Sequence, residues 1–303
     1  MRIHLKTEYV LTCLILLTLT LALTGCGGGS SGGNRDNTPK VLTPTPDGAV
    51  AYNGPSTNID ASHTDEGYVM VQYTGASDKP KLQIAMPNGN TYTYDINGEW
   101  NAFPLTGGDG TYTLTVLEHA YADQYTTAFT QPVDVAIKNA YGPYLYPNIY
   151  VKFTPESACV AKAAELANGC GNDIDVITNV YDYVTKNITY DTAKAQTVDT
   201  GYVPNVDEVM ASGTGICFDY TALMAAMLRS QGIPTRLEVG YAGTAYHAWL
   251  SVYTEETGWI DKAVEIKGSD WTLMDPTLAA SNDNSAVADF IGDGSSYQPR
   301  FVY

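Results

Sequence analysis

Basic residues are scarce in this chain of 303 residues. It contains 16 lysines and arginines against 33 aspartates and glutamates, which gives a formal net charge of −17 at pH 7. Such an acidic balance argues against binding to nucleic acid and against electrostatic attachment to anionic lipid. It fits a protein that folds and works outside the cytoplasm, but it does not identify a substrate.

Long hydrophobic runs are also scarce. The clearest run, residues 10–23, follows Arg2 and Lys6 and is too short to cross a bilayer comfortably, which is typical of a signal peptide. It ends in Leu-Thr-Gly-Cys at residues 23–26, which resembles the lipobox of bacterial lipoproteins. We therefore predict a signal peptide over residues 1–25, lipidation of Cys26 and an extracytoplasmic protein anchored to the bacterial membrane. The alternative is an ordinary secretory signal cleaved nearby.

A stretch rich in glycine and serine follows Cys26. Segments of this composition behave as flexible coils, so residues 26–45 are predicted to be a linker. No later apolar run is long enough to cross a membrane.

Cysteine is rare, with five residues in all. Two of them lie in the predicted signal peptide and lipobox, which leaves Cys159, Cys170 and Cys217. A disulfide between Cys159 and Cys170 is one possibility in an exported protein. If residues 157–168 form one straight helix, however, the two Cα atoms lie too far apart for that bond, and both residues are then buried free thiols.

Residues 46–140 contain short runs rich in valine, threonine and tyrosine, separated by turns of asparagine, glycine and proline. The runs cover residues 68–73, 81–86, 91–94, 110–116 and 133–137. Strands at this spacing predict a small all-β sandwich of the immunoglobulin-like type. Such a domain serves either as a spacer that packs against the rest of the chain or as a binding module.

Residues 141–303 are predicted to form an α+β domain. Thr154 and Pro155 indicate the N-cap and first residue of a helix, and further helices are predicted over residues 173–188, 205–211 and from Cys217 onwards. Strands are then predicted over residues 235–241, 247–253 and 271–275. Helices followed by strands are typical of the α+β class. Turn residues between Trp249 and Trp271 predict an added strand or hairpin.

Cys217 is the candidate nucleophile because it lies where a helix begins. The N–H groups of a first helical turn, together with the helix dipole, stabilise an anion at that position, and the thiolate is the reactive form of cysteine. Gly213 and Gly215 let the backbone turn sharply just before it. The alternative is a buried structural cysteine.

His247 and Asp275 are the candidate partners of Cys217. His247 begins a predicted strand in the same domain, where an imidazole can hold the thiolate as an ion pair and then protonate a leaving amine. Asp275 ends a later strand and can accept the second imidazole N–H, which fixes the tautomer. For Asp275-Pro276 the alternative is a turn that ends the strand.

Within residues 145–280, four motifs follow one another between Gly213 and Thr277. They are Gly213-x-Gly-x-Cys217-x-Asp-Tyr, Gly232-Ile-Pro-Thr-Arg236, His247-Ala-Trp249 and Trp271-x-x-x-Asp275-Pro-Thr277. Together they resemble the transglutaminase-like superfamily. The resemblance implies a papain-like core, with helices packed on an antiparallel sheet, and a Cys217–His247–Asp275 triad.

The resemblance also implies acyl transfer through a cysteine thioester, with a protein or peptide as the substrate. The favoured prediction is hydrolysis by a cysteine peptidase or amidase. A transamidase that crosslinks proteins is one alternative, and a non-catalytic surface-binding or scaffold module is another. The partners predicted are therefore the substrate and the membrane through Cys26, with no nucleic acid; the sequence does not indicate an oligomeric state.

The oxyanion hole is the least defined part of the predicted site. The backbone N–H of Cys217 is one expected donor. A papain-type glutamine is absent, since Ala211 stands six residues before the cysteine. The resemblance suggests a side chain from an upstream segment, and Tyr190 is the candidate; the alternative is a core tyrosine.

No cofactor and no metal are predicted. The acidic residues near the end of the chain lack the spacing of a calcium loop. They are Asp283, Asp289 and Asp293.

Overall fold

The computed structural model describes residues 35–261, 264–267, 270–273 and 297–303. The described residues form one compact unit. The predictions made for the signal peptide, for Cys26 and for Asp275 lie outside the described residues. In the described ranges, the helices are too short or too polar to span a bilayer.

The N-terminal part of the unit consists of two four-stranded antiparallel sheets. Its strands are β1 (Ala51–Asn53), β2 (Thr57–Asp60), β3 (Tyr68–Tyr73), β4 (Lys81–Ala85), β5 (Thr91–Asp95), β6 (Asn101–Pro104), β7 (Gly110–Tyr121) and β8 (Gln124–Val135). One sheet has the order β1-β2-β3-β6 and the other the order β5-β4-β7-β8. In β5, Tyr92 and Tyr94 are buried between exposed neighbours, as the two-residue period of a strand requires.

Helices and short strands follow. The helices are α1 (Ala158–Ala167), α2 (Asp173–Asn187), α3 (Thr192–Thr197), α4 (Val206–Ser212) and α5 (Cys217–Ser230). The strands are β9 (Thr189–Tyr190), β10 (Thr214–Gly215), β11 (Thr235–Ala242), β12 (Ala245–Thr254), β13 (Gly258–Ile260), β14 (Val264–Lys267), β15 (Asp270–Leu273) and β16 (Tyr297–Val302).

An antiparallel sheet of order β13-β12-β11-β16 supports the helices. Strands β9 and β10 form a short parallel pair, and β14 and β15 form the added hairpin that the sequence indicated. The predicted α+β class, with helices packed on an antiparallel sheet after an all-β region, is confirmed. The domain boundary at residue 140 stays a prediction, because buried side chains of the N-terminal sheets and of the helices belong to one continuous core.

Helix α5 forms the centre of this core. All twelve residues 219–230 are buried, and the helix packs against α1, α2, α4, β11 and β12. Between Ala222 and Leu228 its sequence is apolar on every side, which is the pattern of a helix enclosed by other elements. A fully enclosed helix gives its first residue, Cys217, a fixed position.

Helix α1 begins at Ala158, so the predicted start at Thr154 and Pro155 was wrong. Residues 154–157 form a separate turn in which the backbone N–H of Thr154 donates to the hydroxyl of Ser157 at 3.1 Å. The backbone N–H of Ala158 donates to the carboxylate of Asp207 at 2.9 Å. The free N–H group at the start of α1 is therefore satisfied by a carboxylate of α4. That partner is distant in the sequence, so the local pattern does not reveal it.

The described part of the predicted linker lies against the helices. The Arg35 guanidinium donates to the Asp173 carboxylate at 2.6 Å and to the carbonyl of Gln231 at 2.7 Å. The backbone N–H of Lys40 donates to the carbonyl of Ser230 at 2.7 Å. These bonds hold residues 35–40 at the C-terminal end of α5 and the N-terminal end of α2.

Candidate active site

Cys217 is the first residue of α5, as predicted, and its side chain is half-buried. The preceding Ile216 has an extended backbone, with φ −96° and ψ 176°, and acts as the N-cap. The thiol thus lies in the first turn, where the helix dipole favours a negative charge.

A buried carboxylate secures this helix start. Asp219 accepts the backbone N–H of Ile216 at 2.8 Å, the ammonium of Lys194 at 2.7 Å and the hydroxyl of Tyr202 at 2.6 Å. Its side chain is completely buried. Burial and the neighbouring carboxylate raise the pKa of Tyr202 to about 12, so the phenol stays protonated and donates its hydrogen bond to Asp219. Sequence reasoning placed Asp219 in a motif but assigned it no role.

The two glycines before Cys217 are needed for different structural reasons. Gly213 ends α4 in the left-handed region, with φ 66°, which is the usual conformation of a helix C-cap glycine. At Gly215 a Cβ atom would lie 2.7 Å from the Cβ atom of Asp219. Gly215 is therefore required because the buried carboxylate needs the space.

Tyr190 lies beside the segment that leads to Cys217. It pairs with Gly215 across the parallel strands β9 and β10, where Asp191 donates its backbone N–H to the carbonyl of Gly215 at 2.9 Å. The Tyr190 ring lies 6.5 Å from the ring of Tyr220, between centroids. This placement agrees with a residue near the nucleophile, and the oxyanion role of Tyr190 stays a prediction.

His247 is the third residue of β12 and pairs with Gly240 of β11. Its ring centroid lies 6.5 Å from those of Trp249 and Tyr297. A Cβ atom at Gly240 would lie 2.1 Å from the carbonyl oxygen of Gln298, so glycine is needed for β16 to approach β11 beside the histidine.

A second buried carboxylate holds the ring next to His247. Glu238 accepts the indole N–H of Trp249 at 2.8 Å and the hydroxyl of Ser251 at 2.7 Å. Burial raises the pKa of Glu238, and the two hydrogen bonds oppose that rise. Because the Trp249 indole is fixed at its nitrogen, it gives His247 a rigid neighbour.

The start of β12 lies at the Cys217 end of α5. The pKa of Tyr246, the residue before His247, is raised by partial desolvation and by the neighbouring Tyr241, is lowered by the positive charge of Arg300, and is raised by a smaller contribution from Cys217, which lies within electrostatic range. Beyond the other end of α5, the backbone N–H of Tyr253 donates to the carbonyl of Pro234. Strand β12 therefore packs along α5, with its start toward Cys217 and its end toward the C-terminal end of the helix. The triad itself stays a prediction, since Asp275 lies outside the described residues.

The other two described cysteines, Cys159 and Cys170, are buried free thiols, although a disulfide had been one possibility. Cys159 lies in the first turn of α1 and Cys170 beyond its end. Burial raises the pKa of Cys159 to about 12 and also raises that of Cys170. Both thiols are therefore protonated and shielded at neutral pH.

The burial of Cys159 and Cys170, in contrast to Cys217, predicts how many thiols react in the folded protein. Residues 27–303, which retain the whole compact unit, should react with one equivalent of Ellman's reagent at pH 7.5 when folded, because Cys217 alone is accessible. In urea without reductant the count should rise to three. A count of one in urea would instead establish a disulfide between Cys159 and Cys170.

In the described ranges, no group of three or more His, Cys, Asp or Glu side chains is arranged to hold an ion. The acidic residues considered for calcium, Asp283, Asp289 and Asp293, lie outside those ranges.

Part of the chain matches a known protein family. The family model of the transglutaminase-like superfamily matches residues 160–262, a range that includes Cys217 and His247 but not Asp275. The uncharacterized protein YebA of Bacillus subtilis is 26% identical over 166 residues, which are 45% of this chain and 22% of YebA. The chain thus spans about a fifth of the length of that curated relative.

Two solved structures are also similar. The periplasmic domain of TgpA from Pseudomonas aeruginosa has 15% identity and a TM-score of 0.35, with 80% of this chain and 98% of that chain covered. Red sea bream transglutaminase has 14% identity and a TM-score of 0.27, with 71% of this chain and 48% of that chain covered. On the family match, residues 160–262 are a transglutaminase-like core domain.

Proposed function

We propose that this protein is a membrane-anchored, extracytoplasmic thiol enzyme that hydrolyses amide bonds of a protein or peptide through Cys217. The observation that carries the proposal is the half-buried Cys217 at the first residue of an enclosed helix, with its start secured by Asp219. A thiol in such a position is both accessible and electrostatically favoured as the thiolate. The superfamily match supports thiol chemistry, and the lipid anchor at Cys26 rests on the lipobox alone.

The proposed reaction has two stages. The Cys217 thiolate attacks the amide carbonyl carbon, and the negative charge on the carbonyl oxygen is stabilised by the backbone N–H of Cys217 and the hydroxyl of Tyr190. The His247 imidazolium gives its proton to the leaving nitrogen as the C–N bond breaks, leaving a thioester. A water molecule then gives a proton to His247 and attacks the thioester, which releases the acid and restores the thiolate. In this proposal Asp275 orients the imidazole.

The test is the alkylation rate of Cys217 in residues 27–303. Iodoacetamide should label Cys217 readily at pH 6, and His247→Ala should slow the labelling about tenfold, since the imidazolium no longer stabilises the thiolate. His119→Ala is the matched control, because His119 lies on β7 and contacts the carbonyl of Ala122. Equal rates for the wild type and His247→Ala would exclude a working Cys217–His247 pair and favour the scaffold alternative.

Hydrolysis and transamidation are separated by the fate of the acyl group. With casein as the substrate, a hydrolase releases new amino termini and does not incorporate a fluorescent primary amine. Incorporation of the amine, dependent on Cys217, would replace the hydrolase assignment with a transamidase.

A further inference from the structure

Two of the three exposed large aromatic side chains among the described residues lie side by side on β11 and β12. The exposed large hydrophobic side chains among the described residues are Val50, Tyr121, Tyr241 and Tyr246, and the last two pair directly across β11 and β12. Their ring centroids are 5.6 Å apart in an edge-to-face arrangement, and Tyr246 is 60% exposed. Two paired aromatic rings that stay in water contribute none of the stability that their burial would give. Exposed apolar patches of this kind commonly mark binding surfaces.

The position of this pair follows from the sheet. Val239 and Ala248 lie two residues nearer the middle of their strands, on the same face, and both are buried in the core that includes α5. The face continues to Tyr241 and Tyr246, but α5 begins at Cys217 and covers it no further. The two tyrosines therefore lie beyond the N-terminal end of α5, the helix that carries the nucleophile.

A positively charged side chain lies beside the two tyrosines. The guanidinium of Arg300, on β16, lies 5.3 Å from the centroid of the Tyr241 ring, and the residue is exposed. Within the described part of the chain Arg300 forms no salt bridge, although the protein has about twice as many acidic as basic residues. An exposed arginine without an acidic partner is free to bind a carboxylate from outside.

We propose that Tyr241, Tyr246 and Arg300 form a substrate-binding surface that takes an extended peptide with an aromatic side chain and, about two residues away, a carboxylate. The centroid distances of 5.6 Å between Tyr241 and Tyr246 and of 5.3 Å between Tyr241 and Arg300 limit the span of the three side chains to about 11 Å, which is the length of about three extended residues. An aromatic side chain would pack on the exposed Tyr246 ring, and the carboxylate would pair with Arg300. The identity of this peptide as the acyl donor rests on the proposed function; its binding does not.

Protection of Cys217 from iodoacetamide gives a test that does not depend on turnover. The probes are acetyl-Glu-Ala-Phe-amide and acetyl-Phe-Ala-Glu-amide, each compared with its Phe→Ala and Glu→Gln counterparts, on residues 27–303. At least one of the two peptides should halve the alkylation rate of Cys217 at a concentration about fivefold lower than its Phe→Ala counterpart requires. This is the effect expected of one exposed aromatic contact. The glutamine counterpart should be about threefold weaker, as for an exposed ion pair.

Matched variants assign the two contacts. Tyr246→Ala should abolish the preference for phenylalanine, and Arg300→Gln should abolish the preference for glutamate. Tyr121→Ala is the control, since Tyr121 is 70% exposed at the end of β7 and should change neither preference. Equal protection by all peptides, or preferences that survive both variants, would overturn the proposal.

The two hypotheses can fail separately. If the peptides protect Cys217 with these preferences but no amide is cleaved or transferred, the binding surface stands and the proposed function falls. If casein is cleaved but no aromatic or acidic preference exists, the proposed function stands and the binding surface falls.

Discussion

Replacing Asp219 by alanine is expected to lower the free energy of unfolding by about 2 kcal/mol, because a completely buried carboxylate and its hydrogen bonds are lost. The carboxylate has three donors, from Ile216, Lys194 and Tyr202, and removing it leaves all of them without that acceptor. The buried N–H of Ile216 keeps its desolvation cost and loses the compensating bond, whereas Lys194, whose side chain is 30% exposed, can bind water instead. Urea unfolding of residues 27–303 at pH 7 measures the loss.

The local consequence of Asp219→Ala is a looser start of α5. The amide of Ile216 should exchange its hydrogen faster, while amides in the middle of α5 change only in proportion to global stability. Asp182→Ala is the matched control, since Asp182 binds the exposed Lys186 at 2.6 Å on the surface of α2 and should cost less than about 1 kcal/mol. A loss as small as that of the control would show that Asp219 does not hold the helix start.

Replacing Arg229 by alanine is expected to cost about 4 kcal/mol, since it creates a cavity and leaves buried carbonyls without a donor. The guanidinium is completely buried and donates to the carbonyls of Thr235, Tyr146 and Tyr303, at 2.7 to 3.1 Å. Burial lowers the pKa of Arg229 to about 9, so the group still carries its charge at pH 7. The same urea experiment measures the effect.

The two variants should differ at the active site. Arg229 lies in the last turn of α5, so the alkylation rate of Cys217 in folded Arg229→Ala should remain close to that of the wild type. Arg300→Ala serves as the control for stability, since an exposed arginine should change the unfolding free energy by no more than about 0.5 kcal/mol. A change of that size in Arg229→Ala would mean that water replaces the guanidinium at the three carbonyls.

Local patterns predicted the elements that depend on local interactions. Helix α2 runs from Asp173 to Asn187, close to the range of residues 173–188 that its periodicity predicted. Helix α4 runs from Val206 to Ser212, and Asn205, the first residue of the predicted helix, caps it through the backbone N–H of Glu208. Strands β1, β2 and β6 were missed because segments such as Thr57–Asp60 have little strand character; β2 and β6 are held by pairing with β3, and β1 by pairing with β2. Tertiary pairing overrides weak local preference in such strands.

For the candidate site, too, the sequence predicted the features that depend on local signals and missed those that depend on distant residues. The start of α5 at Cys217 follows from a glycine-flanked boundary ahead of an apolar run, which is a local signal. The role of Asp219 depends on Lys194, 25 positions earlier in the chain, and on Tyr202, so no spacing rule reveals it. The Tyr241–Tyr246 pair requires the register of β11 and β12, which the residues alone do not specify.

The attachment of residues 35–40 to the helices has a mechanical consequence. A pull on the chain ahead of Arg35 is transmitted first to Asp173 and to the carbonyls of Ser230 and Gln231, at the C-terminal end of α5. Cys217 lies at the opposite end of that helix, roughly 20 Å away. Tension on a tether is therefore resisted at the far end of α5, and the bonds around the nucleophile do not bear it directly.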